Sequence, residues 1–160
     1  MKKLVFLAIA ALAFGTFAQS AVDWQNKNDA ALKAATDDAT LAAFVASDAA
    51  AKELLAKIKP AYATDPLVAS QIGAVSQWVM KKDATADGPH AAGRKVWVKA
   101  LCETIRSATD DYVKTFCLDQ MRWCGCSCSA KCIDEIAAQE KSKPVKDFAV
   151  WVARELRSAK

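Results

Sequence analysis

The chain has 160 residues, of which 53% are hydrophobic and 25% charged, and its formal net charge is +4. Basic and acidic residues alternate and form no block, so this charge does not predict nucleic-acid binding. Only five glycines occur, and a glycine-rich phosphate-binding loop is absent from the sequence.

Residues 1–18 have the pattern of a secretory signal peptide. Lys2 and Lys3 precede an apolar stretch at 4–14, and small residues at Thr16 and Ala18 form a cleavage site. The apolar stretch is short for a membrane span. We therefore expect export to the periplasm, with residues 19–160 as one domain that contains no further membrane span.

Residues 22–46 are rich in alanine, which favours helix without specifying a buried face. We expect short helices here that form an N-terminal cap. Asp48 begins a better defined helix, and Pro60 must end or kink it because proline lacks an N–H donor. The apolar residues of this helix recur at helical spacing and predict one buried stripe: Ala51, Leu54, Leu55, Ile58 and Tyr62.

Thr64 or Asp65 caps the next predicted helix, and Pro66 occupies its first position. Residues 81–89 have the composition of a loop. Further helices are predicted at about 91–107, from Thr109 to Gly125, and in two segments up to the end of the chain. Every apolar set recurs at three or four residues and none alternates. The sequence therefore predicts an all-α fold.

Two stretches of the chain are similar at a fixed separation of 45 residues. The matching pairs include Asp65 and Asp110, Val68 and Val113, and Trp78 and Trp123. A period in the forties is typical of two-helix repeats that stack on one another. We predict antiparallel helix pairs at about 48–82, 90–124 and 130–158, with four residues packed between repeats: Val68, Trp78, Val113 and Trp123.

The first of these stretches, Asp65-Pro66-Leu67-Val68, resembles the turn and second helix of a HEAT repeat. Residues 110–114 are similar, with Lys114 at the position where that family favours a basic residue, and residues 144–146 resemble a degraded third copy. Ala69 occupies the basic position of the first copy, which then lacks the usual hydrogen-bonding side chain. The resemblance implies a short right-handed α-solenoid of about three helix pairs that presents a binding surface.

All six cysteines lie between residues 102 and 132. Because an exported protein meets an oxidising compartment, this even number predicts disulfides. Cys102 and Cys117 would lie on paired helices, where either a bridge or two buried thiols would fit. The other four form a dense cluster in which a bridge would pin the connection between helix pairs: Cys124, Cys126, Cys128 and Cys132. The pairing stays open at this level.

A metal site is the alternative interpretation of this cluster. Four thiolates are a normal complement for Zn²⁺, and sulfur ligands also suit Cu⁺. However, the gaps of one, one and three residues differ from the usual zinc spacing, and His90 is the single histidine. A Cys-x-x-Cys pair typical of catalytic dithiols is missing. Disulfides are therefore favoured, and a thiol-rich metal-binding or redox protein is the alternative function.

No catalytic constellation is predicted. His90 lies in a Gly-Pro-His sequence that is typical of an exposed turn, and paired carboxylates near helix starts are explained by capping. We expect an exported, non-catalytic protein without a cofactor that binds another protein or an envelope macromolecule. Trp97, Trp123 and Trp151 are candidates for an aromatic patch, although core packing would also account for most of them.

Overall fold

A computed structural model describes residues 29–60 and 63–158. By its contacts the chain divides into residues 1–34 and residues 35–160. The predicted signal peptide, the first residues of the N-terminal cap (22–28) and Tyr62 lie outside the described residues. Within them the regular structure is helical and contains no β-strand, which confirms the all-α prediction. None of the described helices is long and apolar enough to cross a bilayer.

Eight α-helices occur in the described residues. Residues 29–35 form α1. The others belong to the larger unit, and a 3-10 turn at Ser127–Ser129 separates α6 from α7: α2 (Asp38–Phe44), α3 (Asp48–Leu55), α4 (Pro66–Trp78), α5 (Pro89–Ser107), α6 (Asp111–Cys124), α7 (Ala130–Gln139) and α8 (Lys143–Ser158).

Side-chain caps fix where the central helices begin. The Asp65 carboxylate accepts a hydrogen bond from the Leu67 N–H at 2.8 Å. The Asp110 carboxylate accepts two, from Tyr112 at 2.9 Å and Val113 at 3.2 Å. These caps satisfy backbone donors that a helix start leaves unpaired. The two aspartates are members of the predicted 45-residue match, so this part of the match corresponds to equivalent starts of α4 and α6.

The helices pack in two rows. α3 packs on α5 and α5 on α7, while α4 packs on α6 and α6 on α8. α5 also packs along α6, and α7 along α8. The buried apolar side chains of residues 35–158 form one cluster between these helices. Burial of such side chains is the main favourable contribution to folding.

Most of the predicted stripes are found in this core. Ile72, Val75 and Val79 of the α4 stripe are buried, as are Val145, Val152 and Leu156 of α8. The matched residues Val68 and Val113 are half-buried and pack against the core. Trp97 is fully buried and forms part of the core rather than of a surface patch. Its indole Nε1–H donates to Ser76 Oγ at 3.0 Å, which satisfies a polar group that burial would otherwise leave unpaired.

The match between Trp78 and Trp123 does not extend to their surroundings. Trp78 is 4% exposed, with the His90 ring 4.0 Å away and Gly93 beside it, whereas Trp123 is 58% exposed. The predicted packing of Trp123 between repeats is therefore not observed. The covering residues do not repeat, because the residues 45 positions after His90 and Gly93 are Glu135 and Ala138, and both are exposed.

The junction after α6 is closely packed. Gly125 ends the helix with an extended backbone, so its small size rather than an unusual dihedral angle is what the site requires. A Cβ atom there would lie 2.6 Å from the Met121 carbonyl oxygen and 2.9 Å from Leu156 Cδ2. Arg94 of α5 donates to the carbonyl oxygens of Cys124, at 2.7 Å, and Gly125. These bonds pair carbonyl groups that the end of a helix leaves free.

Candidate functional site

Four of the six cysteines lie in two pairs at disulfide distance. Cys102 of α5 pairs with Cys132 of α7, with their Cα atoms 6.9 Å apart. Cys126 pairs with Cys128 in the turn between α6 and α7, with a Cα separation of 5.1 Å. The first bridge joins two stacked helices, and the second lies within a single turn. The two bridges therefore constrain the chain very differently.

Cys117 and Cys124 are buried free thiols. The bridge between Cys102 and Cys117 that the sequence allows does not form, because the Cys102 sulfur pairs with Cys132 of α7. Burial away from water raises the pKa of the Cys117 thiol to about 12, and burial does the same for Cys124. Both thiols are therefore protonated near neutral pH and act as small apolar side chains.

The four cysteines proposed as metal ligands are not gathered into one site. Cys126 and Cys128 pair with each other, Cys132 belongs to the other bridge, and Cys124 is a buried thiol. In residues 29–60 and 63–158, no group of three or more histidine, cysteine or carboxylate side chains is placed to hold a metal ion. The arrangement of sulfurs expected for the zinc or copper alternative is therefore not present in this part of the chain.

His90 lies in the first turn of α5 rather than in an exposed loop. Its side chain is 17% exposed and packs against Trp78, with Nε2 4.0 Å from Asp83 Oδ1. The Asp83 carboxylate also accepts a hydrogen bond from the Ala91 N–H at 2.7 Å. Asp83 thus holds the start of α5, and the surroundings of His90 serve the packing of α4 against α5.

An aromatic surface lies where α6 and α8 meet. The guanidinium carbon of Arg122 is 4.4 Å from the ring centroid of Trp123 and 5.4 Å from that of Trp151. The Phe148 ring stacks on Trp151 with centroids 5.4 Å apart. These four residues form what we call the aromatic patch. Cation–π contacts of this kind attract a positive group to the face of an indole ring.

In the aromatic patch Arg122 is held by Asp119, and the Trp123 ring is exposed to solvent. Asp119 Oδ1 accepts hydrogen bonds from Nε and Nη2 of Arg122 at 3.1 and 3.0 Å. Trp123 is 58% exposed, and Val150, next to Trp151 in α8, is 55% exposed. The Trp123 side chain lies on a regular helix and is held by Arg122. It therefore presents apolar area and has few conformations to lose on binding.

A cleft of about 730 Å³ opens on another part of the surface. Its apolar lining includes Val79, Met80 and Val98, and the Cys126–Cys128 bridge forms part of the wall. Most of its charged lining is basic: Lys81, Lys82, Arg94 and Lys95, with Asp83 as the acidic member. Lys81 pairs with Asp38 at 2.8 Å, and Lys95 lies 3.9 Å from Asp87.

Only part of the aromatic patch could be predicted from the sequence. Trp123 and Trp151 were candidates for a patch, and the structure brings them together around Arg122, whereas Trp97 is buried in the core. Arg122 and Phe148 were missed. Their signals are the adjacent pair Arg122-Trp123 and the spacing of three residues between Phe148 and Trp151, which places both rings on one helix face. The cleft gave no sequence signal, because distant segments form it.

No family model, curated protein or solved structure matches the chain. The proposals below therefore rest on the residues and their geometry.

Proposed function

We propose that this chain is an exported, non-catalytic helical-repeat protein that binds another protein through the aromatic patch. The observation that carries the proposal is the exposure of Trp123 beside Arg122 and Trp151. Tryptophan and arginine are the residues most enriched among those that dominate protein–protein binding energy. An indole left in water retains apolar area that a partner would cover with a favourable free-energy change.

The partner that fits this patch is a protein surface with an apolar pocket for the Trp123 indole. Asp119 keeps the guanidinium of Arg122 fixed beside the two indole rings. The patch contains no phosphate-binding loop or row of free cations, so a nucleic acid is not the partner we propose. The chemistry needed is burial and stacking, with no covalent step.

We further propose that the helix pairs form a short right-handed α-solenoid of the HEAT type. The stacking of α3 on α5 on α7, beside α4 on α6 on α8, supports this arrangement. So do the equivalent aspartate caps of α4 and α6. In such a solenoid each helix pair contacts its neighbours, and an extended surface is left for binding.

We also propose export to the periplasm, which the signal-peptide pattern of residues 1–18 and the cysteine pairing support. Disulfides persist in oxidising compartments outside the cytosol. Four of the six cysteines lie in two pairs at disulfide distance. The alternative function, a thiol-rich metal-binding or redox protein, stays a prediction.

Photo-crosslinking tests the proposed binding. A photoreactive amino acid in place of Val150, the exposed residue before Trp151 in α8, should form a covalent adduct with one protein of the envelope or culture fraction. The affinity of that protein should then fall at least tenfold in Trp123→Ala, because truncating such a side chain costs about 2 kcal/mol or more of binding energy. Thermal melting of Trp123→Ala should be unchanged within error, since the side chain is exposed.

Leu67→Ala is the matched control, because Leu67 is also an exposed apolar residue, at 37%, but lies outside the aromatic patch. This variant should bind within twofold of the unmodified chain. Adducts that form equally in Trp123→Ala would contradict the proposal. Sedimentation of the purified chain tests for self-association. If the patch only joins two copies of this chain, the proposal that it binds a different protein is wrong.

A further inference from the structure

The Cys126–Cys128 bridge has no evident tethering role. One residue separates its two cysteines, and both lie in the turn that links α6 to α7. The Cys102–Cys132 bridge, by contrast, joins α5 to α7 across 30 positions of sequence. The loss of chain entropy that makes a disulfide stabilising grows with the length of the loop it closes. A bridge across three residues therefore contributes least to the fold, and its presence calls for another explanation.

This bridge is also accessible. Cys128 is an exposed residue, and both Cys126 and Cys128 line the 730 Å³ cleft. In the other bridge Cys102 is only 6% exposed. Thiol–disulfide exchange requires a thiolate to reach a sulfur atom in line with the bond that breaks, so exposed bridges are the labile ones. Because Cys128 is exposed and Cys126 is half-buried, a thiol bound in the cleft has the more open approach to Cys128.

The surroundings favour Cys126 as the sulfur that leaves. The Cys126 N–H donates to Ser129 Oγ at 3.2 Å, so the Ser129 hydroxyl hydrogen is free to donate to Cys126 Sγ, which lies 3.5 Å away. The Arg94 guanidinium donates hydrogen bonds to the carbonyl oxygens of Cys124 and Gly125, the two residues that precede Cys126 in the chain. Hydrogen-bond donors and nearby positive charge stabilise a thiolate relative to a thiol.

We propose that the Cys126–Cys128 bridge is a thiol–disulfide exchange site that oxidises thiols bound in the cleft. The thiolate of a ligand attacks Cys128 Sγ, a ligand–Cys128 disulfide forms, and the Cys126–Cys128 bond breaks. Its electron pair leaves on Cys126 as a thiolate. A second ligand thiolate then attacks the sulfur of the first ligand and releases Cys128. One bridge and two thiols thus give one dithiol and one ligand disulfide, so electrons and protons balance.

The charge of the cleft defines the class of thiol. Lys82 is an exposed residue of the lining, and Arg94 and Lys95 lie on the α5 side. Opposite charge raises the local concentration of a ligand and the rate at which it arrives. Thiols that carry carboxylates, such as a cysteine in an acidic peptide, are therefore the preferred ligands. This activity is independent of the aromatic patch and does not rest on the proposed protein binding.

Differential alkylation of the oxidised full chain tests the proposal. The chain is treated with reduced glutathione, an anionic thiol, quenched at intervals and mapped by mass spectrometry. Label should appear at Cys126 and Cys128 at least tenfold faster than at Cys102 and Cys132. In Cys126→Ala, exposure to glutathione disulfide should leave glutathione attached to Cys128, the sulfur that we assign as the point of attack. Equal or reversed rates for the two bridges would overturn the proposal.

Two further comparisons test the role of the cleft. The rate at which each thiol reduces the Cys126–Cys128 bridge is divided by the rate at which the same thiol reduces a small linear disulfide. This ratio removes differences in the intrinsic reactivity of the thiols. The corrected rate for glutathione should exceed that for cationic cysteamine at least threefold, and Lys82→Glu should remove this preference. Lys57→Glu is the matched control, since Lys57 is exposed and does not line the cleft. Equal corrected rates in the unmodified chain would overturn the assignment of the cleft as the binding site.

Discussion

Cys117 and Cys124 illustrate how burial determines the chemistry of a side chain. Both are on the inner face of α6, and burial raises the pKa of each thiol to about 12 from the usual 9.0. In the unfolded chain they would ionise near pH 9. Because the folded-state pKa is the higher one, the neutral thiols favour folding below pH 9, and this contribution is lost as the pH rises from 9 towards 12.

We predict that iodoacetamide alkylates Cys117 and Cys124 in the folded chain at pH 8 at least about 1,000-fold more slowly than in urea. Both side chains are fully buried, so the reagent reaches them only after local opening, and their raised pKa leaves little thiolate in the folded chain. Mass spectrometry of the alkylated peptides measures both rates. Comparable rates in the folded chain and in urea would contradict the placement of these residues.

The tryptophans show what sequence alone can and cannot predict about single residues. The spacing of Trp78 and Trp123 correctly places both near the ends of matched helices. Their burial differs because it depends on which residues of the following helix cover them, and that information is not local. Trp97 is adjacent to the predicted inward residue Val98. Its side chain is completely buried, and its indole N–H is paired with Ser76 on another helix.

At the scale of elements, helix starts and buried stripes were predicted well. Asp65 followed by Pro66 is a strong local start signal, and the structure places the cap and the first residue of α4 there. Stripe positions follow from helical periodicity, which a sequence shows directly. Gly125 was also predicted to end α6. The backbone at Gly125 is extended, and part of the constraint on its size comes from Leu156 of α8, which the local sequence does not show.

Gly125→Ala should destabilise the fold by about 1–3 kcal/mol, because the new methyl group would force the Met121 carbonyl or Leu156 to move. Gly73→Ala is a matched control in α4. A Cβ atom at Gly73 meets no atom within 4 Å, and replacing a glycine inside a helix by alanine should stabilise it by about 0.5–1 kcal/mol. Urea unfolding of the two variants measures both effects. Equal shifts of the same sign would contradict the close packing at Gly125.

On the scale of the whole molecule, the order of helix pairs was accessible from the sequence and the pairing of cysteines was not. The predicted ranges 48–82, 90–124 and 130–158 contain α3 and α4, most of α5 with α6, and α7 with α8. Cysteine pairing depends on which helix faces which. Cys102 faces α7 across the stack rather than its hairpin partner α6. The cleft depends likewise on the approach of the 126–128 turn to the loop after α4.

The two bridges should contribute unequally to stability. Loss of Cys102–Cys132 in Cys102→Ala/Cys132→Ala should cost about 3–4 kcal/mol, since this bridge closes a loop across 30 positions of sequence. Loss of Cys126–Cys128 in Cys126→Ala/Cys128→Ala should cost at most about 1–2 kcal/mol. Denaturant unfolding of both double variants provides the comparison. A larger cost for the short bridge would mean that it has a structural role that its position does not suggest.

The Cys102–Cys132 bridge encloses the whole of α6, the helix that carries Arg122 and Trp123. A protease that cut the peptide chain once within this loop, for example in the turn after Gly125, would produce two fragments that remain one covalent molecule. The severed ends would stay beside each other, since α5 and α7 remain linked. The molecule thus has a means of retaining the aromatic patch after a single backbone break, which is an advantage wherever proteins are exposed to degradation and cannot be replaced quickly.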